Sequence, residues 1–534
     1  MDEMLRLSLL WRVVAAIGAF FGRLASGSRF LAALGRWWQA SGTRRFLDRR
    51  FSAEAGFTEA SGYRRLSQRL NDRLAGVSRP LEWFRAGVVG RIWRGLFRWG
   101  EGSVLLGWMF RGGLTGVILT VLGLYCGVDY LLRDVFSVPV LSSLWDEALL
   151  LVSLLWILRL RMDRATPLEA RTNPLDVPLL AFLALGFLLM NTVFDYYSIS
   201  MDGYRATVQY MLWFFVVTRM LRNDRDFKTL YFAMVALATV IALHGIYQYI
   251  VAVPIPSNWT DQAEQSVLTR VFSIFGSPNI MGDYMVMFAP MAAGLAYYLP
   301  KTWQKLLAWA CAFAMCFACL FTMSRGAWVA MAVAVVLFCL LVDRRLFALL
   351  VVAAVAAMFL PFVASRIGYL FTEQFAESTA RGGRASRWHY GLNYLVESGH
   401  PWLGLGLGMF GGAIAMQTKI IDQWDYFYLD NYYLKIMVEM GYLGFIFFVV
   451  LLAALVLIGL RCVRRSGFIH RAGGPRMQPL AAGILSGLCG VLAHCYFENI
   501  FEEPYMMAYF WMMAAMLVYL GFFRPRAAQR AAQQ

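Results

Sequence analysis

Gly441-Tyr442-Leu443-Gly444-Phe445-Ile446-Phe447-Phe448-Val449-Val450-Leu451-Leu452-Ala453-Ala454-Leu455-Val456-Leu457-Ile458-Gly459-Leu460 is twenty residues long and carries no charge. A run of about 20 apolar residues matches the hydrocarbon thickness of a bilayer when it is helical. Reading outward, the same texture recurs through most of the chain. Of 534 residues, 60% are apolar and 15% charged, whereas soluble domains carry roughly 25% charged residues. That excludes a cytosolic enzyme, a disordered chain and a small disulfide scaffold. The apolar residues run continuously rather than alternating, so an outer-membrane barrel is excluded too. The fold class expected is an all-α polytopic membrane protein. About twelve transmembrane helices are predicted, near 112–129, 146–160, 175–194, 205–221, 228–250, 278–299, 305–323, 326–342, 346–364, 431–460, 479–497 and 505–523.

The charges give these spans a direction. With the N-terminus in the cytoplasm, the inner loops and the C-terminal tail hold 20 Lys and Arg, and the short outer loops hold 4. This is the bias of the positive-inside rule, and it puts both termini in the cytoplasm. No cleavable signal peptide is read, because the first apolar stretch is interrupted by Arg12. Five regions follow: a basic amphipathic interfacial segment at 1–111, spans one to nine at 112–364, a long outer loop at 365–430, three more spans at 431–523, and a cytoplasmic tail at 524–534. Residues 1–100 contain 18 Arg, no Lys and 7 acidic residues, a net +11 within a chain total of +16. Nucleic acid is one partner for such a block. Its interleaved Leu, Phe, Trp and Ala point instead to helices lying on an anionic lipid surface.

The eight cysteines suggest no disulfide framework and no zinc site. Six lie in apolar runs, Cys462 in a basic loop and Cys495 at a span end, so buried thiols are expected. His244 and His494 lie within spans and read as packing or hydrogen-bonding residues. The outer acidic run Glu498, Glu502 and Glu503 reads as an ordinary solvated loop that a cation could visit. No cluster has the ligand set of a zinc or paired magnesium site.

Three arginines stand out because they fall on the outer side, against the charge bias: Arg270, Arg325 and Arg387. An arginine at an outer membrane boundary is costly and calls for a reason. Snorkelling or a loop ion pair would satisfy any one of them. For three on one face, a shared anion is the better account, since the guanidinium fork matches phosphate oxygens and stays charged. After the long loop comes Asp430-Asn431-Tyr432-Tyr433 at the start of a span. One of Asp430 and Asn431 is expected to cap that helix. Asp430 is also a candidate general base near a reacting hydroxyl. Lys435 and Glu439, four residues apart, read as a structural ion pair. Trp424, Tyr426, Phe427, Tyr428, Tyr432 and Tyr433 form either an interfacial belt or a platform for sugar rings. Gly404-Leu405-Gly406-Leu407-Gly408 reads as a tight turn or a backbone approach to a ligand, since no βαβ unit surrounds it.

These stretches together resemble the O-antigen ligase/polymerase superfamily of bacterial membrane glycosyltransferases. The resemblance rests on Phe275-Gly276-Ser277-Pro278-Asn279-Ile280-Met281-Gly282, Ser324-Arg325-Gly326-Ala327-Trp328, Arg387-Trp388, His400-Pro401-Trp402-Leu403-Gly404-Leu405-Gly406, and Asp430-Asn431 through Gly441-Tyr442-Leu443-Gly444. It covers about residues 175–460. It implies a metal-independent inverting glycosyltransferase without a cofactor, whose donor is a glycan on polyprenyl, typically undecaprenyl, pyrophosphate. The acceptor is another lipid-linked glycan for polymerases and a lipid core or protein for ligases. By motif, Arg270, Arg325 and Arg387 hold the pyrophosphate and Asp430 serves the acceptor. Asn279, Trp388, His400, Asn431 and Tyr432 are the substrate-binding candidates. Ligases of this group usually have His where this chain has Asp430, a group of much higher reference pKa, which tilts the reading towards a surface-polysaccharide polymerase. The expected setting is the bacterial cytoplasmic membrane, with membrane lipids and polysaccharide-assembly proteins as partners and no nucleic acid. A lipid-linked-glycan flippase is the rival reading, which would place ionisable pairs at mid-membrane.

Overall fold

The computed structural model describes five separate positions between 33 and 42, then residues 62–75, 87–103, 107–137, 139–162, 171–192, 196–254, 269–369, 371–373, 383–418, 428–471 and 476–525. Trp424, Tyr426, Phe427, most of 1–61 and most of the C-terminal tail lie outside the described residues. In chain order the helices are α1 Gly62–Ala75, α2 Val88–Glu101, α3 Gly107–Phe110, α4 Gly113–Gly123, α5 Tyr125–Tyr130, α6 Pro139–Met162 and α7 Asp176–Met190. There follow α8 Tyr197–Val208, α9 Leu212–Met220, α10 Asp224–Ile250, α11 Pro278–Tyr298, α12 Thr302–Phe321, α13 Arg325–Leu341, α14 Leu346–Met358 and α15 Pro361–Tyr369. The last are α16 Arg384–Glu397, α17 Ala413–Thr418, α18 Tyr432–Arg471, α19 Gln478–His494 and α20 Pro504–Val518. A helix covers part of each of the twelve expected stretches. By length and apolar composition, five segments among the described residues qualify as membrane spans: α10, α11, α12, α18 and Pro504–Phe523. Pairing α4 with Tyr125–Val135, across a 73° bend, makes six.

Several expected spans are interrupted. The stretch at 205–221 begins inside α8, passes through a 3-10 turn at Gln209–Met211 and continues as α9. The stretch at 346–364 breaks between α14 and α15. Cys462, read as part of a basic loop, is instead buried within α18. The first break packs against α20, a partner distant in sequence, whereas the second falls at Pro361, whose ring cannot continue the preceding helix.

The centre of the bundle is α11 and α20, whose most apolar windows are 94% and 100% buried within the protein. A helix apolar on all sides belongs in such a position. α11 packs against α12, α13 and α19, and α20 packs against α9, α18 and α19. The α11–α19 contact is tight because α19 presents small residues. A Cβ on Gly487 would stand 2.1 Å from the Met287 carbonyl oxygen. Small residues let helix backbones approach closely in apolar surroundings, where dispersion and packing drive association. This contact fixes the end of α19, and with it His494 and the acidic turn that follows.

α18 is not one straight rod. Gly441 sits at φ 68°, ψ −174°, a non-helical conformation that breaks the helix at its tenth residue. The glycine-rich loop fills the break. Leu405 and Gly406 donate their N–H groups to the carbonyls of Val438 and Glu439, both at 3.0 Å. Tyr442 and Leu443 donate in return to the carbonyls of Pro401 and Trp402, at 2.9 and 3.3 Å. The backbone groups orphaned by the break are thereby satisfied, as buried peptide groups must be.

Candidate functional site

The site is built where the ends of α11, α13, α16, α18 and α19 meet. Ser277 caps α11 by accepting the N–H of Asn279 at 3.2 Å, with Pro278 in the first turn. This leaves the Asn279 side chain at the helix end. Arg270, buried at 7% exposure, reaches across the same end. Its Nε donates to the Thr322 carbonyl at 3.0 Å and its Nη2 to Asn279 Oδ1 at 3.3 Å. Thr322 belongs to the short turn that leads to Ser324, the N-cap of α13, and to Arg325, its first residue. Gly326 lies against the end of α19: a Cβ there would stand 2.9 Å from His494 Nε2 and 3.1 Å from Phe497 Cβ.

From the other side, α16 offers two arginines. Arg387 Nη2 donates to Asp430 Oδ2 at 2.5 Å, and Arg384 Nε donates to the same oxygen at 3.3 Å. Arg387 Nη1 also donates to the Tyr428 carbonyl at 3.3 Å. The link between the halves is Glu498. Asn279 Nδ2 donates to its Oε2 at 2.5 Å, and the Tyr428 hydroxyl donates to its Oε1 at 3.5 Å. A chain of contacts thus runs Arg270–Asn279–Glu498–Tyr428–Arg387–Asp430–Arg384. Burial, then the Asp430 charge, pushes the Glu498 carboxyl above its ordinary range. Burial and the Glu498 charge likewise push the Tyr428 hydroxyl up. Three arginines and two carboxylates take part in this chain, an excess of positive charge suited to an anion. Two buried donors, Arg387 Nε and Trp388 Nε1, have no hydrogen-bond partner among the described residues. Orphaned buried donors are rare and costly, and a ligand is one reason for them.

The sequence candidates sort as follows. Arg270, Arg387, Asn279 and Asp430 are members of the chain of contacts just traced. Arg325 is held at its edge by the turn that carries the Thr322 carbonyl. Trp388 packs edge-on against Tyr496, ring centroids 5.2 Å apart, two residues before Glu498. Asn431 is the cap of α18: its Oδ1 accepts the N–H groups of Tyr433 and Leu434 at 3.0 and 3.1 Å. Tyr432 is 2% exposed, packs on Phe501 and Phe448, and lines a small pocket with Lys435, Glu439 and Glu502. His400 makes the hydrogen bonds of its own turn, with Ser398 Oγ and with the N–H groups of Leu403 and Gly404. That turn serves the break at Gly441. In Asp430, two guanidinium groups share Oδ2.

Two groups were undervalued in the sequence. Arg384 lies one turn before Arg387, a spacing that puts both on one helix face and was there to be read. Glu498 carried no signal beyond an acidic loop. Beside it, His494 Nδ1 and Asp283 Oδ1 lie 3.0 Å apart in the core, a pair 211 residues apart in sequence. Lys435 Nζ meets Glu439 Oε2 at 2.8 Å, as the spacing indicates, and Glu502 Oε1 at 3.5 Å. Among the described residues no group of three or more His, Cys, Asp or Glu is placed to hold a metal ion.

Residues 310–449 match the family model described as O-antigen ligase. That segment of the chain, about a quarter of its length, is thus similar to the O-antigen ligase family. The matched segment holds Arg325, Arg384, Arg387, Asp430 and the Gly441 break. Arg270, Asn279 and Glu498 lie outside it and meet it only through the fold. No curated protein matches the chain.

Proposed function

We propose that the protein transfers or polymerises a polyprenyl-pyrophosphate-linked glycan at the outer face of the bacterial cytoplasmic membrane, with inversion at the anomeric carbon. The observation that carries this reading is the chain of contacts that joins Arg270, Arg387 and Arg384 through Asn279, Glu498, Tyr428 and Asp430 at one end of the helix bundle, with the turn of Arg325 beside it. Fixed guanidinium groups stabilise charge that develops on a leaving pyrophosphate, and such preorganised electrostatics usually supply the largest share of catalysis. The acceptor hydroxyl oxygen attacks the donor's anomeric carbon. The bond from that carbon to the pyrophosphate oxygen breaks, and its electron pair leaves with the pyrophosphate. Glu498 takes the acceptor proton, because its raised affinity for protons makes it a better base than an ordinary carboxylate. Asp430 holds Arg384 and Arg387 in place. The donor's diphosphate is itself a good leaving group, so the arginines suffice to stabilise it.

Of the two reactions of the superfamily, polymerisation is favoured, since the position before Asn431 is Asp430 and not His. The test is a reconstitution of purified protein in liposomes with a polyprenyl-pyrophosphate repeat unit and, separately, with lipid-core acceptor. Lengthened lipid-linked glycan supports polymerisation, and glycan on lipid core supports ligation. Translocation without a new glycosidic bond overturns both. Arg325→Ala is expected to lower turnover about 100-fold or more, the scale of a lost transition-state donor. Arg325→Lys is expected to rescue little because it lacks the fork. Full activity of the Lys variant would rule out bidentate contact.

A further inference from the structure

Far from this site along the chain, the turn Trp108–Arg111 meets the first turns of α10 around an open cavity of about 390 Å³. Its walls are Trp108, Arg111, Arg225, Lys228, Thr229 and Phe232. Three of the six are cations, and among the described residues that line it none is acidic. The nearby carboxylates are engaged elsewhere. Asp224 accepts from Arg524 at 2.8 Å and from the Tyr519 hydroxyl at 3.0 Å. Asp226 accepts the Arg222 N–H at 3.0 Å. The Arg225 guanidinium is steadied by the Arg111 carbonyl at 3.1 Å. Lys228 Nζ lies 5.5 Å from the centre of the Tyr298 ring.

The apolar walls face outward: Trp108 is 43% and Phe232 37% exposed. Beside them α2 exposes Val88, Ile92, Leu96 and Trp99, positions that fall on one helical stripe. Cations set between exposed aromatic rings, next to an apolar helix face, are the surroundings of a phospholipid at the level of its phosphate.

We propose that this cavity binds the phosphate headgroup of one anionic phospholipid, with the acyl chains lying against α2 and Phe232. Free phosphate would use the same cations but not the apolar stripe. The site does not depend on the glycosyltransferase reading. The experiment uses the full chain purified in an uncharged detergent and supplied with phosphatidylglycerol, phosphatidylcholine or inorganic phosphate, with retained lipid counted by native mass spectrometry. Wild type should retain one phosphatidylglycerol in preference to phosphatidylcholine, and millimolar phosphate should not displace it. The R225Q/K228Q double variant should bind it about thirtyfold more weakly, since each cation near an anionic lipid surface contributes roughly fivefold. Arg91→Gln, on exposed α2, should leave retention unchanged. If the double variant lowers the lipid-free melting temperature, Lys228→Met alone is read instead and should cost about fivefold. Unchanged retention in both variants, displacement by inorganic phosphate, or equal loss in Arg91→Gln would each overturn the proposal.

Discussion

Asp430 and Glu498 have similar chemistry and different surroundings. Asp430 is gripped by two arginines, whereas Glu498, half-buried, accepts from a neutral amide and a phenol. Glu498→Gln is therefore expected to lower turnover about 100-fold or more, as loss of a general base does. It should also remove the acid limb of the pH–rate profile. In the wild type that limb lies above the ordinary carboxylate range, because burial raises this group. An unchanged limb in the variant would assign it to another residue. Glu502 tests the same physics through stability. Burial, opposed by Lys435 and aided by Glu439, pushes its carboxyl up to about 7. In the unfolded chain it returns to about 4.3. The folded state then binds more protons between these values, so this group's contribution to stability falls as pH rises from about 4.3 to 7 and is level above. Thermal melts of Glu502→Gln across pH 5 to 8 should show a flatter profile than wild type. Sequence alone placed both glutamates in a polar loop, where their titration would be ordinary. Burial, which sequence does not reveal for a charged residue, reverses that.

At the scale of elements, the turning point is the break in α18. The apolar run from Gly441 predicts a span but not that Gly441 leaves the helix. The motif glycines were legible as a turn or a close approach, and the approach is to another part of the backbone. A Cβ on Gly404 would stand 2.4 Å from the Glu439 carbonyl oxygen, and one on Gly441 would stand 2.3 Å from that of Trp402. Gly441→Ala is expected to cost about 1–3 kcal/mol for its backbone conformation alone, a region open essentially to glycine, with the Trp402 clash added. Its melting temperature in detergent should fall, and activity should fall with it. The loop that fills the break also carries Gly411, whose carbonyl accepts from Asn499, next to Glu498, at 2.8 Å. Helix α16 runs Arg384–Glu397, and its first turn brings Arg384 to Asp430.

For the whole molecule, the geometry of the site depends on the packing of α11 against α19, since the two carry Asn279 and the turn to Glu498. Gly487→Val would drive a side chain into the Met287 carbonyl and push these helices apart. The expected result is a lower melting temperature and a loss of activity larger than the stability change at the assay temperature explains. Normal turnover with a lowered melting temperature would uncouple the two. Composition and uninterrupted apolar runs determined that this is a helical membrane protein, because transfer from water to lipid depends on residue type summed over a window. Short motifs pointed to a family whose model matches residues 310–449. That Asp430 or Asn431 caps α18 and that Lys435 pairs with Glu439 were legible too, being contacts within one or two helical turns. Tertiary structure alone decided that two arginines clamp Asp430, that Glu498 accepts from Asn279 and Tyr428, and that Arg384 joins the cluster. Those contacts join residues 43 to 219 positions apart, a separation at which the local periodicity of a chain carries no information on which side chains will meet.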